Sequence, residues 1–354
     1  MPYNKVVKAV AAFIFVLFIA AAGTALYARI GVLVPQTAAV VSVQPMVPAP
    51  APPPEVHILA FGDLMLDRHV RQKIDTNGGD YLFENIKKLF AGQDIIVANA
   101  EGVFTDNDST ASYDNLVFTF STTTLPLLKQ LGFTFFSQAN NHALNFGWKG
   151  LTESKNNIVA AGMDSFGDPD NVNPGPLVTQ VNGIKVAFVG YDQFSAKNGD
   201  DTSALAAIAT AKAQGAFVIV YPHWGIEYQS TTTEFQRTEA HRFVDAGADA
   251  ILGGHPHVVE PIEIYNGKAI FYSMGNFIFD QPWDDTREGL GIGLSLTDTS
   301  VTYTLQPFEI QLMQPTPLQN AFRSIYLLGL SETASTTDQS LRPAIATGSF
   351  VLQR

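Results

Sequence analysis

Residues 250–260 read AILGGHPHVVE. Ala250 to Gly253 is a short apolar run suited to a buried strand, and polar chemistry begins where it stops, at His255-Pro256-His257. The same grammar recurs along the chain. Val56–Phe61, Ile95–Asn99, Phe133–Ser137, Val186–Tyr191 and Phe217–Tyr221 are runs of strand length, and helical patterns separate most of them. Tyr81 to Phe90 sets Leu82, Ile86, Leu89 and Phe90 on one helical face, while Thr233 to Ala246 opens with Thr233 and Gln236 spaced as a capping box. Asn182-Gly183 and Asn266-Gly267 each join two alternating runs and predict hairpins. From Gly289 to Gln311 the pattern is strand-like throughout. Together these predict an α/β domain over residues 56–315 whose later part carries antiparallel strands.

The polar residues fall at matching places. Asp63 follows the first run, Glu101 the second, Asn140-Asn141-His142 the third, His223 the fifth, and His255 and His257 the sixth. Loops leaving the carboxyl ends of strands in an open α/β sheet meet at one rim, so these side chains are expected together. Imidazoles, carboxylates and an amide in one place form a ligand set for one or two divalent metal ions, with Mn, Zn, Fe and Mg all compatible. Each residue also has a structural reading: solvated turn histidines, an ordinary Asn-rich turn, a Gly-Asp turn at Asp63, a cap or surface carboxylate at Glu101. His57, His69 and His241 lie in strand or polar helical contexts and read as structural. Asp192 ends the fourth run with no assigned partner.

Composition narrows the chemistry. Of 354 residues, 46% are hydrophobic and 15% charged, a globular balance. There is no cysteine, which excludes disulfides, thiolate catalysis and sulfur-ligated metals and leaves nitrogen and oxygen donors. A net charge of -12 with no Lys/Arg cluster argues against nucleic acid as a partner. An acidic protein that handles an anionic substrate needs local positive charge, which a divalent ion supplies.

The ends of the chain differ from its middle. Ala9 to Tyr27 is uncharged and apolar over roughly nineteen residues, enough to cross a ~30 Å hydrocarbon layer. Lys5 and Lys8 precede it, so residues 1–30 read as a membrane helix with a cytoplasmic N-terminus and an exported domain. A signal segment cut near Ala20–Ala22 or Ala25–Ala28 is the alternative, giving a secreted protein. Residues 31–55 are rich in Pro, Ala and Val and read as a spacer. Residues 316–354 form a C-terminal extension whose Ser/Thr-rich tail, from Glu332 to Arg354, is expected to pack weakly.

Several motifs carry a family resemblance, in order, over about residues 56 to 310. Gly62-Asp63, Glu101, Ala139-Asn140-Asn141-His142-Ala143, His223-Trp224-Gly225-Ile226-Glu227-Tyr228 and Gly254-His255-Pro256-His257-Val258 resemble the calcineurin-like metallophosphoesterases. With Tyr272 to Gln281 (YSMGNFIFDQ) they resemble more closely the CapA-like capsule-synthesis branch, named for poly-γ-glutamate capsule. The resemblance implies a four-layer α/β/β/α sandwich. It implies that Asp63 and His257 hold one metal, that Asn141, His223 and His255 hold the other, that Glu101 bridges, and that His142 is the general acid. Asn140, Trp224, Glu227, Tyr228, Asn276 and Asp280 are then candidates for substrate-binding walls. Two departures stand out: Met65 replaces the histidine of a D-x-H motif, and Glu101 replaces a bridging aspartate. The first metal lacks a ligand unless Asp67 or His69 supplies one.

The implied function is a metal-dependent hydrolase acting on a phosphoester, or on an anionic capsule polymer or its precursor, in capsule or poly-γ-glutamate biosynthesis or export. A noncatalytic accessory of a membrane-bound polymer synthase or exporter, gripping the polymer through the metal, is the alternative. A nucleotidase-like enzyme is a third reading.

Overall fold

In the computed structural model, which describes residues 53–107, 109, 116–170, 175–195 and 199–354, the chain opens with β1 (Val56–Leu64), α1 (Arg68–Asn77) and β2 (Ile95–Ala100). There follow β3 (Val103–Phe104), β4 (Thr119–Phe120), α2 (Leu125–Gln130), β5 (Phe133–Ser137), α3 (Gly147–Ala160), β6 (Asp164–Phe166) and β7 (Leu177–Val181). The middle holds β8 (Ile184–Asp192), α4 (Thr202–Ala213), β9 (Phe217–His223), α5 (Glu234–Asp245), β10 (Ala250–Leu252), β11 (Ile262–Tyr265) and β12 (Lys268–Phe271). The last part is β13 (Asn276–Ile278), β14 (Glu288–Leu296), β15 (Ser300–Gln311), β16 (Gln314–Pro317), α6 (Asn320–Thr333), β17 (Ser335–Thr336), α7 (Leu341–Thr347) and β18 (Ser349–Gln353). The expected membrane helix and nearly all of the spacer lie outside the described residues. Among the described residues no helix is long and apolar enough to cross a membrane.

Two sheets organise the domain. One runs β16-β15-β14-β1-β2-β5-β6, with β13 added on β1 and β18 on β15; the other runs β17-β11-β12-β10-β9-β8-β7. Alternation along each strand sends its side chains to two different cores. From β1, Ile58 and Ala60 share a cluster with Phe188, Ile219 and Leu252 of the second sheet, so this core lies between the sheets. Leu59 and Phe61 instead join Phe133, Phe136 and Ile158 on the outer, helical side. The second sheet repeats the plan: Val189, Val218 and Ile251 pack with Ile208 of α4 and Phe243 of α5. Helices, sheet, sheet and helices thus stack in an α/β architecture.

Both Asn-Gly turns form hairpins, with φ of 50° and 85° at Asn182-Gly183 and 48° and 74° at Asn266-Gly267, the left-handed values such turns require. The capping box at Thr233 and Gln236 starts α5. Two expectations need correction. Residues 81–90 do not form one helix but two 3₁₀ turns, Gly79–Phe83 and Lys87–Phe90. The tail does not pack weakly. Strand β18 pairs with β15, and Phe350 is buried with its ring 5.0 Å from that of Tyr303.

The parallel strands β1, β2 and β5 of one sheet and β9 and β10 of the other deliver their carboxyl ends to the same region. A parallel bridge between His223 and Gly254 joins the last two loops there.

Candidate metal centre

Asp63 ends β1 fully buried. Its Oδ1 accepts from Asn99 Nδ2 at 2.8 Å and its Oδ2 from the His255 backbone N–H at 3.0 Å, while His257 Nδ1 lies 3.5 Å from Oδ2. Burial pushes this carboxyl up, but the hydrogen bond from His257, the charges of His223 and His257 and the Asn99 amide outweigh it and hold the group well below the carboxylate range. Gly254 makes the close approach feasible, since a Cβ there would sit 2.6 Å from Asp63 Oδ1.

Glu101, just past β2, is the odd group. It is fully buried, and neither of its carboxylate oxygens has a hydrogen-bond partner among the described residues. The imidazole nitrogens that face it are His142 Nε2 and His257 Nε2, each 3.7 Å from Oε1. Burial raises its pKa to about 8. His257 moves up to about 9: burial lowers it, and the carboxylates of Glu101 and Asp63 more than reverse that. Asp63, Glu101 and His257 offer ligand atoms within 4.8 Å of one another. A buried carboxylate without donors is costly, and coordination to a divalent cation is one arrangement that satisfies it. The residues present fit a metal ion.

The remaining ligand candidates gather beside this group. His223 Nε2 lies 3.0 Å from Asn141 Oδ1 and 3.2 Å from His255 Nδ1, three donor atoms converging on one place. Burial holds His223 down to about 3 and lowers His255 strongly as well, so both rings are neutral, the form that binds metals. His255 and His257 have φ of 93° and 60°, a strained backbone for non-glycine residues that aims the two rings from a three-residue turn. His142 is mostly buried against the Phe118 ring, 4.4 Å between centroids, and burial lowers its pKa to about 4.

The proposed walls divide. Tyr228 is half exposed, its ring 6.0 Å from that of His257, and Glu227 beside it is exposed. Trp224 does not line the site: its indole is buried in the core and donates to the Tyr272 carbonyl. Asn276 orients the candidate ligand His257. Its Nδ2 donates to Gln281 Oε1 and the Thr286 carbonyl, which turns its Oδ1 toward His257 Nδ1 at 2.9 Å and leaves Nε2 facing Glu101. Asp280 accepts from Arg68 and from the His69 backbone, and lies 3.2 Å from His69 Nδ1. Asn140 braces the loop, donating to Asn99 Oδ1 and the Ala100 carbonyl. Neither substitute for the missing histidine reaches the cluster. Asp67 caps α1 and accepts from Thr119, and Met65 is buried.

Three residues were not anticipated. Asn99 links Asp63, Asn140 and His223, and its one signal is an amide inside the apolar strand IIVANA. Phe194, 41% exposed with its ring 4.1 Å from that of His255, flanks the opening, and Trp283 packs on Tyr228 at 4.9 Å.

Residues 57–281 match the bacterial capsule synthesis protein family PGA_cap, a span that takes in every candidate from Asp63 to Asp280. The chain belongs to this family. Within it, the PGA biosynthesis protein CapA of Bacillus subtilis (strain 168) is 30% identical over 73% of this chain and 72% of its own length. The capsule biosynthesis protein CapA of Bacillus anthracis is also 30% identical, over 73% and 69%. A probable polyglutamine synthesis accessory protein of Mycobacterium tuberculosis (strain ATCC 25618 / H37Rv) is 27% identical over 56% and 57%. Among solved structures, Vps29 of Chaetomium thermophilum overlaps 74% of this chain and 91% of its own with a TM-score of 0.33 and 11% identity.

Proposed function

We propose that this PGA_cap protein is a membrane-tethered, extracytoplasmic hydrolase of the metal-dependent phosphoesterase type, working in the making or export of an anionic capsule polymer such as poly-γ-glutamate. The observation that carries the reading is Glu101: a buried carboxylate whose two oxygens have no hydrogen-bond partner among the described residues, facing His257 and Asp63 beside the Asn141, His223 and His255 set. Asp63, Glu101 and His257 would hold one ion, and Asn141, His223 and His255 a second. Bound there, such ions polarise a phosphoryl oxygen and acidify water for attack. The protein's own residues do the rest. Asn276 fixes His257 with Nε2 inward, Asn99 fixes Asp63, and His142, whose Nε2 lies 3.7 Å from Glu101 Oε1, would protonate a leaving oxygen once a bound anionic substrate raises its pKa from the low value that burial imposes. The apolar run Ala9–Tyr27 supports the tether, and the names of the two Bacillus relatives support the polymer.

Hydrolysis of a generic phosphodiester with added Mn tests this reading. Turnover lost by a hundredfold or more in His142→Ala and His223→Ala is expected; unchanged turnover in both sinks it. A second reading is noncatalytic: the site grips polymer carboxylates through its metal and turns over nothing. The Mycobacterium relative's description as an accessory protein, together with the buried Met65 in place of a ligand, favours it. Metal-dependent binding of poly-γ-glutamate with no hydrolysis of any ester would establish it.

A further inference from the structure

A cleft of about 370 Å³ lies under α6, between that helix and the segment that follows His257, and none of the candidate ligands lines it. Val259, Pro261, Ile325 and Leu330 make it apolar, and Glu260 and Glu288 make it acidic. Glu260 is 1% exposed, and its Oε1 has no hydrogen-bond partner among the described residues. Its Oε2 accepts from Gln236 Nε2 at 2.6 Å. That contact is built in: Gln236 Oε1 is committed to the Thr233 backbone N–H and hydroxyl in the α5 capping box, so only its amide nitrogen can face Glu260. The fold therefore holds a carboxylate at the cleft with one oxygen left for a donor from outside.

The mouth is acidic too. Glu288 is pushed up by burial and by the neighbouring charges of Asp285, Glu309 and Asp284, which marks a concentration of negative charge. Above it, α6 presents Phe322, Ile325 and Leu328, 75%, 68% and 51% exposed, one per turn along the helix. Large apolar side chains exposed in a row mark a contact surface. The family match ends at residue 281, so Glu288 and all of α6 lie in the part of the chain beyond it.

We propose that this cleft and the α6 stripe together dock an apolar, lysine-bearing segment of a partner polypeptide, its ammonium pairing with Glu260 Oε1 and its aliphatic side chains covering Phe322, Ile325 and Leu328. Charge selects this occupant. A second copy of a chain with net charge -12, or an anionic lipid surface, would be repelled at the acidic mouth. A small free amine would satisfy Glu260 and leave the three large side chains in water. The arrangement is that of a buried anchor with an apolar surround, from which interfaces draw most of their affinity.

Fluorescence anisotropy of the full chain with a labelled leucine/lysine peptide tests this. Binding is expected, weakened roughly tenfold or more by Glu260→Gln and by replacing the peptide's lysines with norleucine, as loss of a charge-assisted bond requires. Phe322→Ser with Ile325→Ser should weaken it comparably. The norleucine arm alters only the ligand, so it remains decisive if a protein variant fails to fold. Absence of binding, indifference to norleucine, or butylammonium binding as tightly as the peptide would overturn the proposal.

Discussion

Glu101 is the residue on which the site turns. In the metal-free protein Glu101 is buried with no hydrogen-bond donor among the described residues and ionises only as pH rises past about 8, so Glu101→Gln, which keeps the shape, should stabilise the apo form near pH 9 by about 1–3 kcal/mol, a rise in melting temperature of a few degrees. The same change should remove most of the stabilisation that added Mn confers. Thermal melts with and without Mn check both, and a destabilised apo variant would contradict the account. Asn276→Ala should weaken metal binding roughly 10–100-fold with little effect on folding of the sheet, because it frees the ring that Asn276 holds by a single acceptor; titration calorimetry measures it. The candidate ligands stand out in the sequence because each follows an apolar run, where a charged, amide or imidazole side chain has no packing role. Asn276, Asn99 and Trp224 were not readable in this way. Whether an amide orients a neighbouring ring or lines a wall depends on which way its two ends face, and the fold of the loop that brings Gln281 and the Thr286 carbonyl back onto Asn276 sets that orientation.

At the level of elements, local grammar succeeded where the backbone itself imposes geometry and failed where composition masked a pattern. Asn-Gly forces left-handed φ and so announced both hairpins. The tail read as loose because Ser and Thr are frequent in it, yet Phe350 and Leu352 alternate inward against β15, and Gly348, with φ of 86°, turns the chain from α7 into that strand. Phe350→Ala should therefore cost about 3–5 kcal/mol, since it removes a buried ring stacked on Tyr303 and leaves a cavity between the sheets. Chemical denaturation provides the measure, and a loss under 1 kcal/mol would restore the view of a dispensable tail. The 3₁₀ turns at residues 79–90 teach the converse. Leu82, Ile86 and Phe90 are buried as the periodicity requires, but periodicity specifies a face and does not choose between one α-helix and two 3₁₀ turns.

Across the whole molecule, burial moves several acids in one direction. Glu101, Glu260 and Asp192 are raised to about 8, 7 and 7, and His257 is raised to about 9. Each binds a proton more tightly folded than unfolded, so between pH 6.5 and 8 the native apo protein holds more protons than the unfolded chain, and stability falls as pH rises. His142, His223 and His255 act oppositely, being lowered by burial, but each adds only about 0.4 kcal/mol above pH 6.5, because the unfolded imidazole is already half deprotonated there, which is less than the raised groups lose. The apo melting temperature should thus fall by at least a few degrees from pH 6.5 to 8. Metal reverses the sign at the site, because a cation takes the place of the protons that Glu101 and His257 would otherwise keep, and its affinity grows as those protons become easier to remove. Saturating Mn at about a hundred times its Kd should add roughly 2.7 kcal/mol, and the gain should be larger at pH 8 than at pH 6.5 for the same free metal. Removing the ion with EDTA should restore the downward slope. A Mn effect that shrinks with rising pH would place the metal away from Glu101 and His257, since only ligands that bind metal and protons in competition produce the predicted trend.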